Sequence, residues 1–484
     1  MVCVLLLLTG CDNNSSPQVD AHIPTNSSAP VLRSGMDVAL GQLIQRQQLT
    51  GDPLKGRELP AIGAPLAQLG MQLFFSKTLS GNLDVACASC HHPLLGGGDN
   101  LSLSIGVDAE DPDVLGHKRL LQGNRSPGVP RNAPTTFNIG LWQHFMFHDG
   151  RVEKTSSGIH TPDVAYPDTD PNAGGNLVQA QARFPVTSNH EMRGESFDAG
   201  GTPQSCREPL AERLGGYGKT GTPLEARESA RWLAAFREAY GKPDAAASEL
   251  ITEQNISAAL AEYERSQVFL NNPWKSYVEG KLDAISSQAK QGALLFFRNH
   301  DEGGFACASC HSGDFFTDEQ FRNVLMPPIG PGNGKPDKDA QQDYGRWQVT
   351  GKPEDKFRFR TPTLLNVEVT GPWGHNGAYT SLGNMVEHML NPFQSALHYN
   401  TAQLKQPNIQ TGQYQQNLRE MLGENTDIAG HSYKQEDVQN LVAFLQTLTD
   451  PCVTSQICMS KWIPPEDHGR QDSQGLQLNA RFAP

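Results

Sequence analysis

Beyond its first residues the sequence lacks any apolar run near the roughly 18 residues of a membrane helix, and its mean hydropathy is −0.48, which excludes a polytopic membrane protein. It lacks a basic excess as well. With 39 Lys+Arg against 52 Asp+Glu, a net charge of −13, it offers no patch to displace counterions from phosphates, and nucleic acid is excluded as a partner. Aromatic residues are scarce at 7%, and no segment shows a convincing strand alternation. General disorder is excluded by the 37% hydrophobic content. What is present is length, 484 residues, enough for two to four cores at roughly 100–200 residues per domain. The 47 Gly and 33 Pro predict long irregular connections between modest helices, with loops at 155–178 and 326–356. Nine Cys carry most of the chemical information, because their spacing can be read.

The chain starts with an apolar stretch, Val2 to Leu8, that runs into Leu8-Thr9-Gly10-Cys11 and a polar segment with Asn13, Asn14, Ser15, Ser16 and Pro17. An apolar run ending in small residues reads as an export signal. Its ending resembles the bacterial lipobox, in which the Cys becomes the lipidated first residue. The expectation is a signal peptide over 1–11, a flexible tether over 12–34 and a periplasmic protein anchored to a membrane through Cys11.

One pattern occurs twice. Leu69-Gly70-Met71-Gln72-Leu73-Phe74-Phe75 precedes Cys87-Ala88-Ser89-Cys90-His91, and Gln291-Gly292-Ala293-Leu294-Leu295-Phe296-Phe297 precedes Cys307-Ala308-Ser309-Cys310-His311. Downstream, Pro134-Thr135-Thr136-Phe137-Asn138 leads to His148-Asp149-Gly150, and Pro362-Thr363-Leu364-Leu365-Asn366 leads to His375-Asn376-Gly377. A period near 220 residues is too long for a solenoid and implies an internal duplication. Apolar periodicity predicts helices over Thr222 to Tyr240, Thr252 to Leu270 and Gln435 to Leu448, the second broken by Asn271-Asn272-Pro273. The expected fold is mainly α, with two cytochrome c-like domains at 35–270 and 271–465, long irregular loops, little β-structure and a tail at 466–484.

Two thiols three positions apart can add to the two vinyl groups on one haem edge, and the adjacent His then lies beneath the iron. Cys-x-x-Cys-His therefore reads as c-type haem attachment. Half a zinc site or a redox dithiol is the alternative for a single copy. Two identical copies in an exported chain favour two covalent haems, on Cys87, Cys90 and His91 and on Cys307, Cys310 and His311. Setting aside Cys3, Cys11 and the four haem thiols leaves Cys206, Cys452 and Cys458; in an oxidising compartment the last two are the expected disulfide.

With these motifs, and with Arg131-Asn132-Ala133-Pro134-Thr135, Phe147-His148-Asp149-Gly150-Arg151 and Arg360-Thr361-Pro362-Thr363, the chain from about Leu69 to Thr449 resembles the bacterial di-haem cytochrome c peroxidase family, which includes the MauG-type enzymes. The resemblance implies a peroxide-reacting N-terminal haem and an electron-entry C-terminal haem. Fourteen residues after His375 the family's peroxidases place an axial Met and its MauG-type members a Tyr; here the position is Met389. Met389 also lies on an apolar helical stripe with Leu382, Met385 and Val386, where such a residue is ordinarily core. The family's distal Gln and Glu, ten apart, match Gln181 and Glu191, with the Glu as general acid–base. Its calcium ligands match Asn132, Thr370 and Pro372, oxygen donors that suit a hard cation, although Asn132 also fits a turn.

Two positions depart from the family. Ser104-Ile105-Gly106 is followed by Val107 in place of a distal His, so the N-terminal iron is expected to be five-coordinate at rest, with His117 as the one substitute ligand nearby. His148 stands where the family has an inter-haem Trp, which leaves Trp142 as a substitute. The expected activity is reduction of hydrogen peroxide to water with electrons from a small cytochrome c or cupredoxin. The alternatives are a MauG-type oxidase of a partner protein, which Val107 favours and Met389 opposes, and a non-catalytic di-haem electron carrier.

Overall fold

A computed structural model describes residues 34–197, 201–202, 205–218, 223–333, 342–465 and 474–482. The signal, Cys11 and the tether to 33 lie outside the described residues. Helices dominate. The principal ones are α1 (Gly35–Arg46), α2 (Pro65–Phe74), α3 (Leu177–Ala182), α4 (Ala226–Tyr240), α5 (Glu253–Arg265), α6 (Ser287–Phe297), α7 (Leu382–Leu390) and α8 (Gln435–Gln446). Their starts follow local chemistry: Ser34 and Asp37 form a capping box on α1, Pro65 opens α2, and Thr252 and Ser286 accept backbone N–H bonds as caps of α5 and α6. Among the described residues, seven short strands of two or three residues each join the loops: β1 (Val114–Leu115), β2 (Phe145–Met146), β3 (Val152–Lys154), β4 (Ile159–His160), β5 (Phe321–Arg322), β6 (Phe359–Arg360) and β7 (Arg481–Phe482). They pair as β1-β7, β2-β3-β4 and β5-β6.

Two helix crossings organise the two main cores. Helix α2 crosses α5, and α6 crosses α8, each through a glycine. A Cβ on Gly70 would lie 1.9 Å from the Ala259 carbonyl, and one on Gly292 would lie 1.8 Å from that of Asn440. Tyr263 follows at the first crossing and Phe444 at the second, so the two pairs share one register. Around the first gather Leu73, Phe74, Trp232, Phe236 and Leu260; around the second, Leu295, Phe296, Leu441 and Phe444.

Helix α5 stops at Arg265, five residues before the Leu270 expected from periodicity. The Ser266 hydroxyl donates back to the Tyr263 carbonyl, and the next residues are extended because they serve another partner. The Gln267 carbonyl accepts the Asn138 N–H at 2.8 Å, and Phe269 exchanges its N–H and carbonyl with the Asn138 side chain. That exchange requires open backbone groups, which a helix would already have used.

The chain ends cross over between the halves. Helix α1, assigned by the sequence boundary to the first domain, puts Leu40 and Leu43 into the second core, and Asp37 pairs with Lys290 of α6 at 2.8 Å and accepts from Tyr277. The segment read as a tail docks on the first half: Leu476 and Leu478 enter its core, β7 pairs in parallel with β1, and Phe482 meets the His92 ring at 4.9 Å. A buried ion pair and apolar side chains hold one end, and a strand pairing holds the other; neither is visible as a composition change. Cys452 and Cys458 are bonded, with Cα atoms 5.3 Å apart, and Cys206 is a buried thiol directed at the Val186 carbonyl.

Gly70→Ala and Gly292→Ala are expected to push their helix pairs apart, each costing about 1–3 kcal/mol as overpacking and lowering the thermal midpoint. An unchanged midpoint in scanning calorimetry would contradict the crossing.

Candidate functional site

The first Cys-x-x-Cys-His loop forms one wall of a cavity of about 420 Å³, which Cys87, Cys90, His91, Gln181, Glu191, His148 and Glu264 share. Nδ1 of His91 lies 3.2 Å from the Gly97 carbonyl. A carbonyl only accepts, so Nδ1 carries the proton and Nε2 keeps its lone pair for a metal. Burial holds this imidazole below its ordinary pKa, in the neutral form that coordinates. Cys87 and Cys90 stand as separate thiols, and burial pushes the Cys90 thiol up to about 12. Three buried polar atoms on the cavity wall have no hydrogen-bond partner: Ser104 Oγ, Gln181 Oε1 and Glu264 Oε2. A cavity of this volume, apolar with a few unmatched polar atoms and a pre-set imidazole, fits a haem.

Glu191 reaches the cavity from a single π turn, Asn189–Arg193, a rare geometry that clusters at functional sites. The Ser188 hydroxyl accepts the Glu191 N–H, and the Ser188 carbonyl takes the Arg193 N–H five residues on. Gly106 lies directly against this turn; a Cβ there would sit 2.2 Å from the carbonyls of His190 and Glu191. Burial raises the Glu191 carboxyl above its ordinary range, against a smaller lowering by Arg151 and Arg131. Gln181 approaches from the last turn of α3.

The loop from Ser104 onward is pinned by Arg119. Its buried guanidinium donates to the carbonyls of Ile105 at 2.7 Å, Gly106 at 3.1 Å, Pro112 at 2.9 Å and Val114 at 3.1 Å. Val107 consequently belongs to the apolar core with Leu115 and Met192, and the cavity wall does not include it. His117 is exposed and opens onto a second cavity, of about 480 Å³, with Asn100, Pro372 and Lys405. His117 thus lines a different cavity from His91, on a loop whose carbonyls are tied to Arg119.

At the second loop, His311 Nδ1 lies 3.1 Å from the carbonyls of both Phe316 and Pro362, which again leaves Nε2 bare. Met389 lies on α7, where Leu382 and Val386 join the second core and Met385 packs against a third cluster; Met389 is half-buried and belongs to none of these clusters. Of the calcium set, Asn132 lies on the His91 cavity, where its amide nitrogen donates to the carbonyls of Leu101 at 2.8 Å and Ser102 at 3.3 Å. Pro372 lies on the other cavity, and Thr370 beside Gly96. The structure thus distributes the three over two places.

Between the two loops the halves interlock. The Asn132 N–H donates to the His375 carbonyl at 2.9 Å, and the Arg360 N–H donates to the His148 carbonyl at 2.8 Å. His148 Nε2 donates to the Asn132 carbonyl at 3.0 Å, and the His375 ring stacks on Phe359 at 3.5 Å. Burial lowers both imidazoles, to about 4 and about 3, so both are neutral. Trp142 carries the Arg360 guanidinium 3.3 Å from its ring, and a cation there opposes removal of an electron from the indole. This makes Trp142 a poor substitute for an inter-haem Trp. Sequence reasoning missed the ionic lock beside this junction, where Arg131 meets Asp149 at 2.5 Å and Asp343 at 2.7 Å, and it missed Glu264. Glu264 had a readable signal: it sits four residues after Leu260 on the buried face of α5.

The chain thus carries two Cys-x-x-Cys-His loops, the first on the wall of a cavity that also holds a buried carboxyl, Glu191. Residues 64–283 match the family model described as di-haem cytochrome c peroxidase. The methylamine utilization protein MauG of Methylorubrum extorquens is 28% identical over 327 residues, 66% of this chain and 67% of that protein. Cytochrome c551 peroxidase of Pseudomonas aeruginosa is 25% identical over 407 residues, 84% of this chain and 82% of that protein. Among solved structures, a MauG-like protein associated with microbial copper homeostasis aligns over 84% of this chain and 96% of its own with a TM-score of 0.53 and 20% identity, a likeness of fold. These matches support the di-haem cytochrome c peroxidase/MauG family, and the protein is an oxidoreductase of that type. The family implies two c-type haems.

The Arg131 lock carries a pH dependence. Burial works to raise the Asp149 and Asp343 carboxyls, but Arg131 outweighs it and holds both below the ordinary range. Their contribution is complete above the unfolded carboxylate pKa of about 3.9 and is lost as pH falls through the depressed folded values. The thermal midpoint is expected to drop on acidification below about pH 4. Arg131→Met should cost about 3–5 kcal/mol at neutral pH by leaving Asp343 without its cation and Asp149 with Arg151 alone. A wild-type midpoint in that variant would contradict the lock.

Proposed function

We propose that the protein reduces hydrogen peroxide to water in the His91 cavity, using electrons that a small cytochrome c or cupredoxin delivers at the His311 site. The observation that supports this best is Glu191, a buried carboxyl raised above its ordinary range on the same cavity as His91. A haem held there by Cys87, Cys90 and His91 would supply an iron able to pass two electrons to peroxide. Glu191, in its ionised form, would take a proton from one peroxide oxygen and return it to the other, and two further protons would complete two waters. Gln181, whose Oε1 has no partner within the protein, orients the peroxide beside it. Val107, held in the core through the Arg119-pinned loop, leaves the distal position open without prior reduction.

The remaining roles belong to the same reading. His91 and His311 are the proximal ligands, and Cys87, Cys90, Cys307 and Cys310 the thioether residues. Met389, outside the surrounding apolar clusters, would hold that iron together with His311 and raise the potential of the entry site. The two halves are copies of one domain. The periplasm, with a lipid anchor on Cys11, rests on Leu8-Thr9-Gly10-Cys11; among the described residues no helix is long and apolar enough to cross a membrane. Oxidation of a partner protein is the second reading, supported by the MauG relative and by a junction that lacks a freely oxidisable Trp.

The test mixes purified holoprotein with hydrogen peroxide, with and without a reduced small cytochrome c. Donor oxidation in step with peroxide loss is expected, and Glu191→Gln should slow it on the order of 10²- to 10⁴-fold with both haems attached. Near wild-type turnover in that variant refutes the role of Glu191. A long-lived oxidised state without donor turnover favours the second reading, and no reaction favours a simple electron carrier.

A further inference from the structure

Glu264 lines the His91 cavity together with Glu191 and the arginine-paired Asp163, and the peroxide chemistry does not use it. It lies in the last turn of α5, is 6% exposed, and its Oε2 has no hydrogen-bond partner. An acid so placed costs several kcal/mol if ionised without compensation, so structure alone would favour an apolar side chain. The other half supplies the comparison. The glycine crossings set Tyr263 against Phe444, so Glu264 corresponds to Leu445, which is buried in the second core. The same helix position thus packs as leucine in one half and carries an acid in the other.

The charged surroundings are sparse. Helix α2, packed across α5, contributes none, and α3 contributes Gln181. The Tyr263 hydroxyl donates away, to the Trp462 carbonyl, and Arg265 is paired with Glu262. Arg183 and Arg207, beside α3, are engaged by Asp163, Asp170 and Glu253. Glu264 acts electrostatically on Cys87, which would be a thioether in the holoprotein, and on Tyr263; Glu191, Asp163, Arg131, Arg151 and His148 share the cavity, with Asp163 and Arg131 already paired. Burial alone raises the Glu264 carboxyl, to about 8.

Resting on the reading that Cys87, Cys90 and His91 hold a haem, we infer that Glu264 is a redox-linked proton site of that cavity. It takes up one proton when the haem gains an electron and releases it when the electron leaves. On reduction the external donor supplies the electron and solvent supplies the proton, forming an O–H bond on the carboxylate, so the net charge of the dry cavity is unchanged. On oxidation the added positive charge favours the carboxylate, and the proton returns to solvent. Potential and pH are thereby coupled at this haem and uncoupled at the one facing Leu445.

The test is a spectroelectrochemical titration of both haems in the holoprotein over about pH 6 to 9, bracketing the Glu264 value of about 8. Within the coupled window each pH unit should shift the N-terminal one-electron equilibrium tenfold, about 59 mV. Glu264→Gln and Glu264→Leu should flatten that dependence and leave the C-terminal haem unchanged. An equal slope in variants and wild type, or no slope in the wild type, overturns the proposal. Redox-difference infrared spectra of the wild type give a check independent of any variant: a protonated-carboxyl band must appear on reduction of the N-terminal haem, and its absence overturns the proposal. Wild-type protein without covalent haem on Cys87 and Cys90 would instead refute the reading of the site.

Discussion

The carbonyl of Phe269 accepts a hydrogen bond from each half of the chain, from the Asn138 side chain at 3.1 Å and from the Asn366 side chain at 3.0 Å. Both asparagines hold a left-handed backbone, with φ of 59° and 62°, a conformation that asparagine tolerates better than most residues. Their own N–H groups reach matching carbonyls, Gln267 for Asn138 and Leu448 for Asn366. Phe269 is therefore the pivot on which the two modules meet. Everything between the loops follows from it: the reciprocal bonds of Asn132 to His375 and Arg360 to His148, the Arg131 lock, and the common wall of the His91 cavity.

This geometry explains why so much polar material can be buried without loss of the fold. The junction pairs its charges, two aspartates on Arg131, and keeps both histidines neutral. The cavity does the opposite, leaving Glu191 and Glu264 raised by burial and without full compensation. Paired charges fix one relative placement of the modules, whereas Glu264, pushed up by burial to about 8, holds a proton at neutral pH. Positioning and proton handling are thereby assigned to different residues a short distance apart.

The helices that feed each haem loop were legible because their apolar residues recur at helical spacing, and the two Cys-x-x-Cys-His strings are local by nature. The Cys452–Cys458 bond was legible from short spacing and compartment. The end of α5 was not, since Val268 and Leu270 continue the apolar pattern while Gln267 and Phe269 are claimed by a residue some 130 positions away. The crossing of α1 and β7 to opposite halves was hidden for the same reason: Asp37 with Lys290, and Leu115 with Phe482, are distant in sequence. The place of His117 depended on Arg119, whose four carbonyl bonds exist only once the loop is closed.

In the proposed reading a haem in the His91 cavity keeps one face open: of the Ser104 to Val107 segment only Ser104 lines that cavity, and His117 lines another. Resting-state electron paramagnetic resonance of the fully oxidised holoprotein tests this most directly. One high-spin ferric haem and one low-spin ferric haem are expected, with the low-spin signal lost as an axial His/Met pair in Met389→Ala. Two low-spin haems in the wild type would contradict it.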